Sequence, residues 1–491
     1  MHRSRRDFLV GSGCGLTMAA LASQTEYFGM LNTLSTRLER SASDPPTDYR
    51  ALVCIYFAGG NDGNNTVVPI HDDISVSGYG HYSAARSGEG LALPRAQLLP
   101  VGVPRIGGLN YGLHPSFGTV TGGVNPGLHP LWATGRMAAV TGVGTLIRPI
   151  NRSIYQTDPS SRPLNLFSHT DQTNQHENAS ANFRLLSGWG GRISDRITIT
   201  ANPNRLVPTV NSTGGPRLFT VGESTQPLSI GPAPTPLTSL LSLVGYNGSP
   251  AANARLAALE AQLEDNAHDI VRESNEIHGQ ALRISRSLNN ANEVTVTFPN
   301  TDLGNQLKQI ARIIKARATL SVARQIFYCS IGGFDTHAGQ LIAQANLLAQ
   351  FSQATRAFYE EMIAQGLSDK VTQFTMTDFN RTFDPAGAGG NVGSDHAWAN
   401  HQFVIGGAVS GGDFYGKNYS NGTPFPTLVM DGPDDVGYRQ LPLNSTPQLY
   451  PDGLGWLKTI CSTFSRISTI FPIRISGLWL AFRRYCGRDI R

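Results

Sequence analysis

The sequence predicts an α/β protein built on a largely parallel sheet. Three observations predict it. Ala51–Ala58, Gln325–Ile331 and Val371–Met376 are apolar runs without polar alternation, the pattern of strands covered on both faces. Each run breaks into a turn that carries an aspartate: Asp62 after Gly59-Gly60-Asn61, Asp335 after Gly332-Gly333-Phe334, and Asp378 after Thr377. Between the second and third runs, Leu341–Gln365 places Leu341, Ala345, Leu348, Phe351, Phe358 and Met362 on one helical face. Strand, helix, strand is the alternation that parallel crossovers require.

Taken in order, the 491-residue chain opens on an export signal. Ser4-Arg5-Arg6-Asp7-Phe8-Leu9 matches the twin-arginine consensus, and a short apolar stretch ends in Ala20-Leu21-Ala22, a cleavage pattern. Residues 1–22 are therefore expected to engage the twin-arginine translocase, which places the mature protein in the periplasm or outside the cell. Residues 23–49 read as a polar linker. Residues 50–440 form the α/β domain, with residues 199–300 as an inserted cap region, and 441–491 is a basic tail.

Within the domain, 71–104 looks irregular. Leu113-His114-Pro115 and Leu128-His129-Pro130 open short helical stretches in which both histidines are structural. Arg136–Val143 reads as another buried strand. Phe167–Asn178 is so polar that it reads as a solvated loop, although His169, Asp171 and His176 are potential metal ligands. Gly188–Thr198 starts a helix. Residues 199–250 are rich in Pro, Ser, Thr and Gly, and Ala251–Leu288 carries strong helix formers. Leu303–Leu320 is an amphipathic helix through Leu307, Ile310, Ile313 and Ile314. Gln402–Val409 is a last apolar segment.

Composition narrows the partners. The formal charge is +4, but the first 22 residues carry a net +2 and residues 458–491 a net +6, so the body carries −4. A mildly acidic body argues against nucleic acid. Ile467–Phe482 is apolar, yet Arg474 interrupts it, so no stable membrane span is expected. Cys54 and Cys329 fall in core strands and read as inert buried thiols.

The chemistry concentrates in Thr377–His401. Asp378, Asp395, His396 and His401 lie in one short segment past a strand end, the edge where open α/β sheets place ligands. Carboxylates with imidazoles suit zinc, manganese or magnesium better than soft metals.

These residues carry a resemblance. Gly59-Gly60-Asn61-Asp62-Gly63-Asn64-Asn65-Thr66, Leu128-His129-Pro130-Leu131, Leu166-Phe167-Ser168-His169-Thr170-Asp171-Gln172, Gly333-Phe334-Asp335-Thr336-His337, Thr377-Asp378-Phe379-Asn380-Arg381-Thr382 and Ser394-Asp395-His396 resemble the exported domain-of-unknown-function family numbered fifteen-oh-one. That family is grouped with the alkaline phosphatase and sulfatase superfamily. The resemblance runs from the signal to about Gly432, and the tail after about Tyr438 departs from it. It implies an alkaline-phosphatase-like helix–sheet–helix sandwich with one or two divalent metal ions. It implies Asp62, Asp335, His337, Asp378 and His396 or His401 as metal ligands, and Thr66 or Asn65 as the nucleophile region. Phe379 stands where that superfamily has a histidine, so one metal site is expected to be incomplete. The implied activity is hydrolysis of a phosphate or sulfate ester, small or glycan-borne. The alternative is a catalytically degenerate binding or surface scaffold.

Overall fold

The structure, a computed structural model, describes residues 48–435 except 148–149, 151, 182–184, 203–206, 238–248, most of 265–292, 417–422 and 433. The expected signal, most of the linker and the basic tail lie outside the described residues.

Thirteen strands are described: β1 (Arg50–Ala58), β2 (Val67–Pro69), β3 (Leu99–Val103), β4 (Leu109–Leu113), β5 (Met137–Val143), β6 (Val210–Ser212), β7 (Leu228–Ser229), β8 (Arg324–Gly332), β9 (Val371–Thr377), β10 (Asn380–Arg381), β11 (His396–Ala397), β12 (Asn400–Ile405) and β13 (Phe414–Tyr415). Eight form one sheet in the order β13-β5-β12-β9-β1-β8-β6-β7. Its pairings are parallel except the two made by β12. The sheet is therefore mixed and mostly parallel, as the apolar runs imply. β2, β3 and β4 form a separate antiparallel sheet, and β10 pairs with β11.

The helices used below are α1 (Gly63–Thr66), α2 (Tyr79–Arg86), α3 (His169–Asn178), α4 (Trp189–Ala201), α5 (Pro250–Leu263), α6 (Asp302–Lys315) and α7 (Gln340–Ala364). Alternate residues of β1 serve two cores. Ala51, Val53, Ile55 and Phe57 pack with Leu307, Ile310 and Ile314 of α6 and Phe351 and Phe358 of α7. Leu52, Cys54 and Tyr56 pack with Trp189, Ile193 and Ile197 of α4. Both faces of the strand are thus dry, which is why its sequence shows no polar alternation. Cys54 and Cys329 are buried free thiols.

The register aligns the ends that matter. Ala58 pairs with Gly332 and Phe57 with Thr377, so the chain leaves β1, β8 and β9 at one edge of the sheet. Gly59 is required there: its φ is +113°, and a Cβ would lie 2.4 Å from the Asp335 backbone nitrogen. Two expectations are corrected. The segment 71–104 is not irregular, because it holds α2 and β3. Phe167–Asn178 is not a solvated loop: His169–Asn178 is helical, with Gln172, Gln175, Glu177 and Asn178 buried.

Candidate metal centre

Three histidines converge on one carboxylate oxygen. His169 is the first residue of α3, which Ser168 caps by accepting from the Asp171 backbone N–H. His337 follows the β8 turn, and His396 begins β11. Asp335 Oδ1 lies 3.5 Å from His169 Nε2, 3.1 Å from His337 Nε2 and 3.2 Å from His396 Nε2. The Nε2 atoms of His337 and His396 are 3.1 Å apart.

The far side of each ring decides what the Nε2 atoms are. His169 Nδ1 is 2.7 Å from Asp378 Oδ2, His337 Nδ1 is 2.9 Å from Asp395 Oδ1, and His396 Nδ1 is 2.9 Å from the Phe167 carbonyl. Carboxylates and carbonyls only accept, so each Nδ1 carries the proton and donates it. Where a ring is neutral, its Nε2 then presents a lone pair. Arg381 answers part of this negative density through Asp335 Oδ1 and lies 3.5 Å from His337 Nε2, and a divalent cation would answer the rest. Acceptor-anchored imidazoles are also how proteins orient histidine ligands. His169 Nε2 and Asp378 Oδ1 are buried atoms with no hydrogen-bond partner. The ligand atoms of His169, Asp335 and His396 lie within 4.8 Å of one another, a fit for a divalent cation with His337 beside it.

Arg381 is the fixed positive charge here. Its side chain is fully buried and donates to the carbonyls of Gly59, Gly60, Phe334 and Ser394 and to Asp335 Oδ1. Burial alone would raise the Asp335 carboxyl, but Arg381, His169 and His396 hold it down at about 2. The hydrogen bond to Asp378 raises the His169 pKa against the effect of burial, and burial lowers that of His396. The Phe379 ring packs 4.6 Å from both imidazoles and walls the site.

The structure brings Asp335, His337, Asp378 and His396 together and keeps four expected residues apart. Asp62 is fully buried. Its Oδ2 accepts from Arg86 Nη2 at 2.7 Å and from Gln340, and its Oδ1 accepts from the Asn64 backbone at 3.0 Å. Protein donors thus occupy it, and its charge is cancelled. Thr66 is buried in α1; its hydroxyl donates to the Asp62 carbonyl at 2.7 Å and accepts from Asn61 at 2.9 Å. Asn65 is buried too, bonded to Tyr82, Arg86 and Leu91. Both side chains are held by protein partners away from the histidine cluster. His401 packs against Phe425 in the core, with neither ring nitrogen bonded. Asp378 Oδ2 orients His169 and also accepts from the Gly59 backbone at 3.2 Å, while its Oδ1 has no hydrogen-bond partner.

Reading Phe167–Asn178 as a loop hid His169. The available signal was Ser168 followed three residues later by Asp171, a helix start. In the same helix, Asp171 accepts from the Ser168 hydroxyl. Desolvation pushes His176 down to about 4, and it hydrogen-bonds the Asp378 backbone. His114 accepts from the Ser116 backbone and His129 meets the Pro100 carbonyl, so both are structural.

Buried neutral histidines set an acid limit. Burial pushes His401 down to about 3 and His114 to about 4. Unfolded histidine titrates near ~6.5, so below that pH the unfolded chain binds more protons. The stability they contribute is complete above about pH 6.5 and is lost as pH falls toward the folded values. Between pH 7 and 4.5 each should cost about 2–3 kcal/mol. Urea unfolding of His401→Leu should show a shallower acid slope than the parent; an unchanged slope would refute the assignment.

A family model described as a protein of unknown function, DUF1501, matches residues 150–424. No curated protein matches the chain. Similar solved structures include an alkaline phosphatase from the Antarctic bacterium TAB5, at 8% identity over 76% of this chain and 94% of that one, with a TM-score of 0.26. The PsFucS1 sulfatase from Pseudoalteromonas sp. is similar at 8% identity over 81% and 68%, with a TM-score of 0.26.

Proposed function

Since the chain belongs to the DUF1501 family, whose description defines no activity, we propose from its own site that it is an exported, metal-dependent hydrolase of phosphate or sulfate esters. The observation that carries this reading is the convergence of three histidine Nε2 atoms on Asp335 Oδ1. The resemblance set out above supplies the ester class.

His169, His396 and Asp335 would hold one divalent cation, with His337 as a fourth donor. Imidazole and carboxylate donors fit zinc or manganese. A bound cation polarises an ester oxygen and lowers the pKa of an attacking water. The chain's own residues do the rest. Asp378 and the Phe167 carbonyl fix the rings of His169 and His396. His337, the most exposed of the three imidazoles, is oriented by Asp395 at 2.9 Å. Arg381 is committed to four carbonyls and Asp335, so an anionic substrate would draw its attraction from a bound cation rather than from Arg381. With Thr66 buried, water is the nucleophile.

Export rests on the amino-terminal pattern. Among the described residues no helix is long and apolar enough to cross a membrane.

The test is a screen of phosphate and sulfate esters with the untagged protein. Turnover should vanish on chelation and return with zinc or manganese. Metal binding without turnover of any ester would favour the binding-scaffold alternative, which the burial of Thr66 supports.

A further inference from the structure

Phe167 has a backbone that its side chain disfavours. Its φ is +73°, in the left-handed region, and Asn165, two residues earlier, is at +48°. A bulky residue is seldom found there without a structural reason, and such strain gathers at functional sites. Two contacts hold it. The Phe167 N–H donates to Gln172 Oε1 at 2.6 Å, and Gln172, fully buried in α3, is anchored by its Nε2 donating to Thr145 Oγ1 at 3.2 Å. The half-buried ring packs on the cluster of Leu146, Ile150, Tyr155 and Trp398. The result is a carbonyl aimed at His396 Nδ1, 2.9 Å away.

We propose that Phe167 is a positioning residue: its left-handed backbone, clamped by Gln172, presents the carbonyl that keeps the His396 proton on Nδ1 and frees Nε2 for a cation. Asp378 and Asp395 perform that task for His169 and His337 with carboxylates. At His396 a main-chain carbonyl replaces the carboxylate, and a carbonyl can be aimed only by the backbone. The bend at Phe167 is what aims it. The clamp also ties the geometry of His396 to α3, whose first residue is His169, so two donors from distant parts of the chain share one support.

The inference rests on the metal-centre reading, and the experiment separates the two. Zinc and cobalt(II) are titrated into the whole protein and into Phe167→Gly, Phe167→Ala and Gln172→Leu, and the imidazole nitrogens of the metal-free proteins are observed by NMR. Glycine adopts a left-handed φ freely while alanine does not, and both lack the ring. Phe167→Gly should keep zinc affinity within about threefold, with His396 protonated on Nδ1. Phe167→Ala and Gln172→Leu should each weaken zinc by about 10- to 100-fold, the range for losing a group that orients a ligand. Both should also alter the cobalt spectrum and mix the His396 tautomers. If glycine and alanine lose affinity equally, the ring is what matters and the proposal is overturned. A parent protein that binds no zinc would overturn the metal reading, and the tautomer comparison would still decide the role of Phe167. Should Phe167→Ala fail to fold, Gln172→Leu against Phe167→Gly gives the same contrast.

Discussion

Replacing Arg86 by methionine should lower the free energy of unfolding by about 3–5 kcal/mol, the cost of stranding a buried charge. Arg86 and Asp62 have no exposed side-chain surface, and they meet at 2.7 Å. Arg86 also donates to Asn65 at 2.8 Å, and its guanidinium lies over the rings of Tyr82 and Phe383. Methionine keeps most of that packing, so the loss measures the uncompensated carboxylate. Removing both charges, as Arg86→Met with Asp62→Leu, should recover most of the stability, since buried ion pairs exchange for apolar groups at little net cost. Urea unfolding of the three variants checks this. A loss below about 1 kcal/mol in Arg86→Met would mean that Asp62 finds another cation, and would restore it as a candidate ligand.

The second large effect falls on the opposite kind of residue. His396→Ala should cut zinc affinity by more than about 100-fold, beyond the 10- to 100-fold expected for Asp378→Asn, which orients a ligand rather than serving as one. Ester turnover in His396→Ala should fall by about 1000-fold or more, because metal activation supplies several kcal/mol of barrier lowering. Global stability should change little, since His396 is partly exposed and its ring sits at the rim of the site. Isothermal titration with zinc, next to thermal unfolding, separates the two quantities. Equal zinc affinity in His396→Ala and the parent would remove His396 from the ligand set.

These two predictions mark what was and was not legible in the sequence. β1, β8 and β9 were readable because a strand buried on both faces is apolar throughout, and Leu52–Phe57 is a short apolar run that ends in a glycine turn. α7 was readable from its periodic apolar face. The helix His169–Asn178 was not, because it buries amides and a carboxylate rather than an apolar stripe: Gln172 bonds Thr145, Gln175 bonds the Leu164 carbonyl and Glu177 accepts from the Phe219 backbone. Periodicity of hydrophobicity says nothing about a helix stabilised in that way.

The site was half legible for a related reason. Asp335 and His337, which the structure brings beside His396, follow the end of β8 directly. Asp62 has the same placement and the opposite fate, because Arg86, 24 residues further on in a stretch with no visible pattern, reaches back to cancel it. A partner that comes from tertiary packing leaves no trace at the acid itself. His401 shows the reverse error: five residues past His396 it enters β12 and the core, where proximity in sequence no longer means proximity in space.

The account turns on the claim that the Nε2 atoms of these histidines hold a cation. X-ray absorption at the metal edge of the zinc-equilibrated, untagged protein tests it most directly. One cation per chain, with two or three imidazole nitrogens at about 2.0–2.1 Å, is the result the geometry predicts. A protein that retains no zinc, or a shell without imidazole scattering, would contradict it.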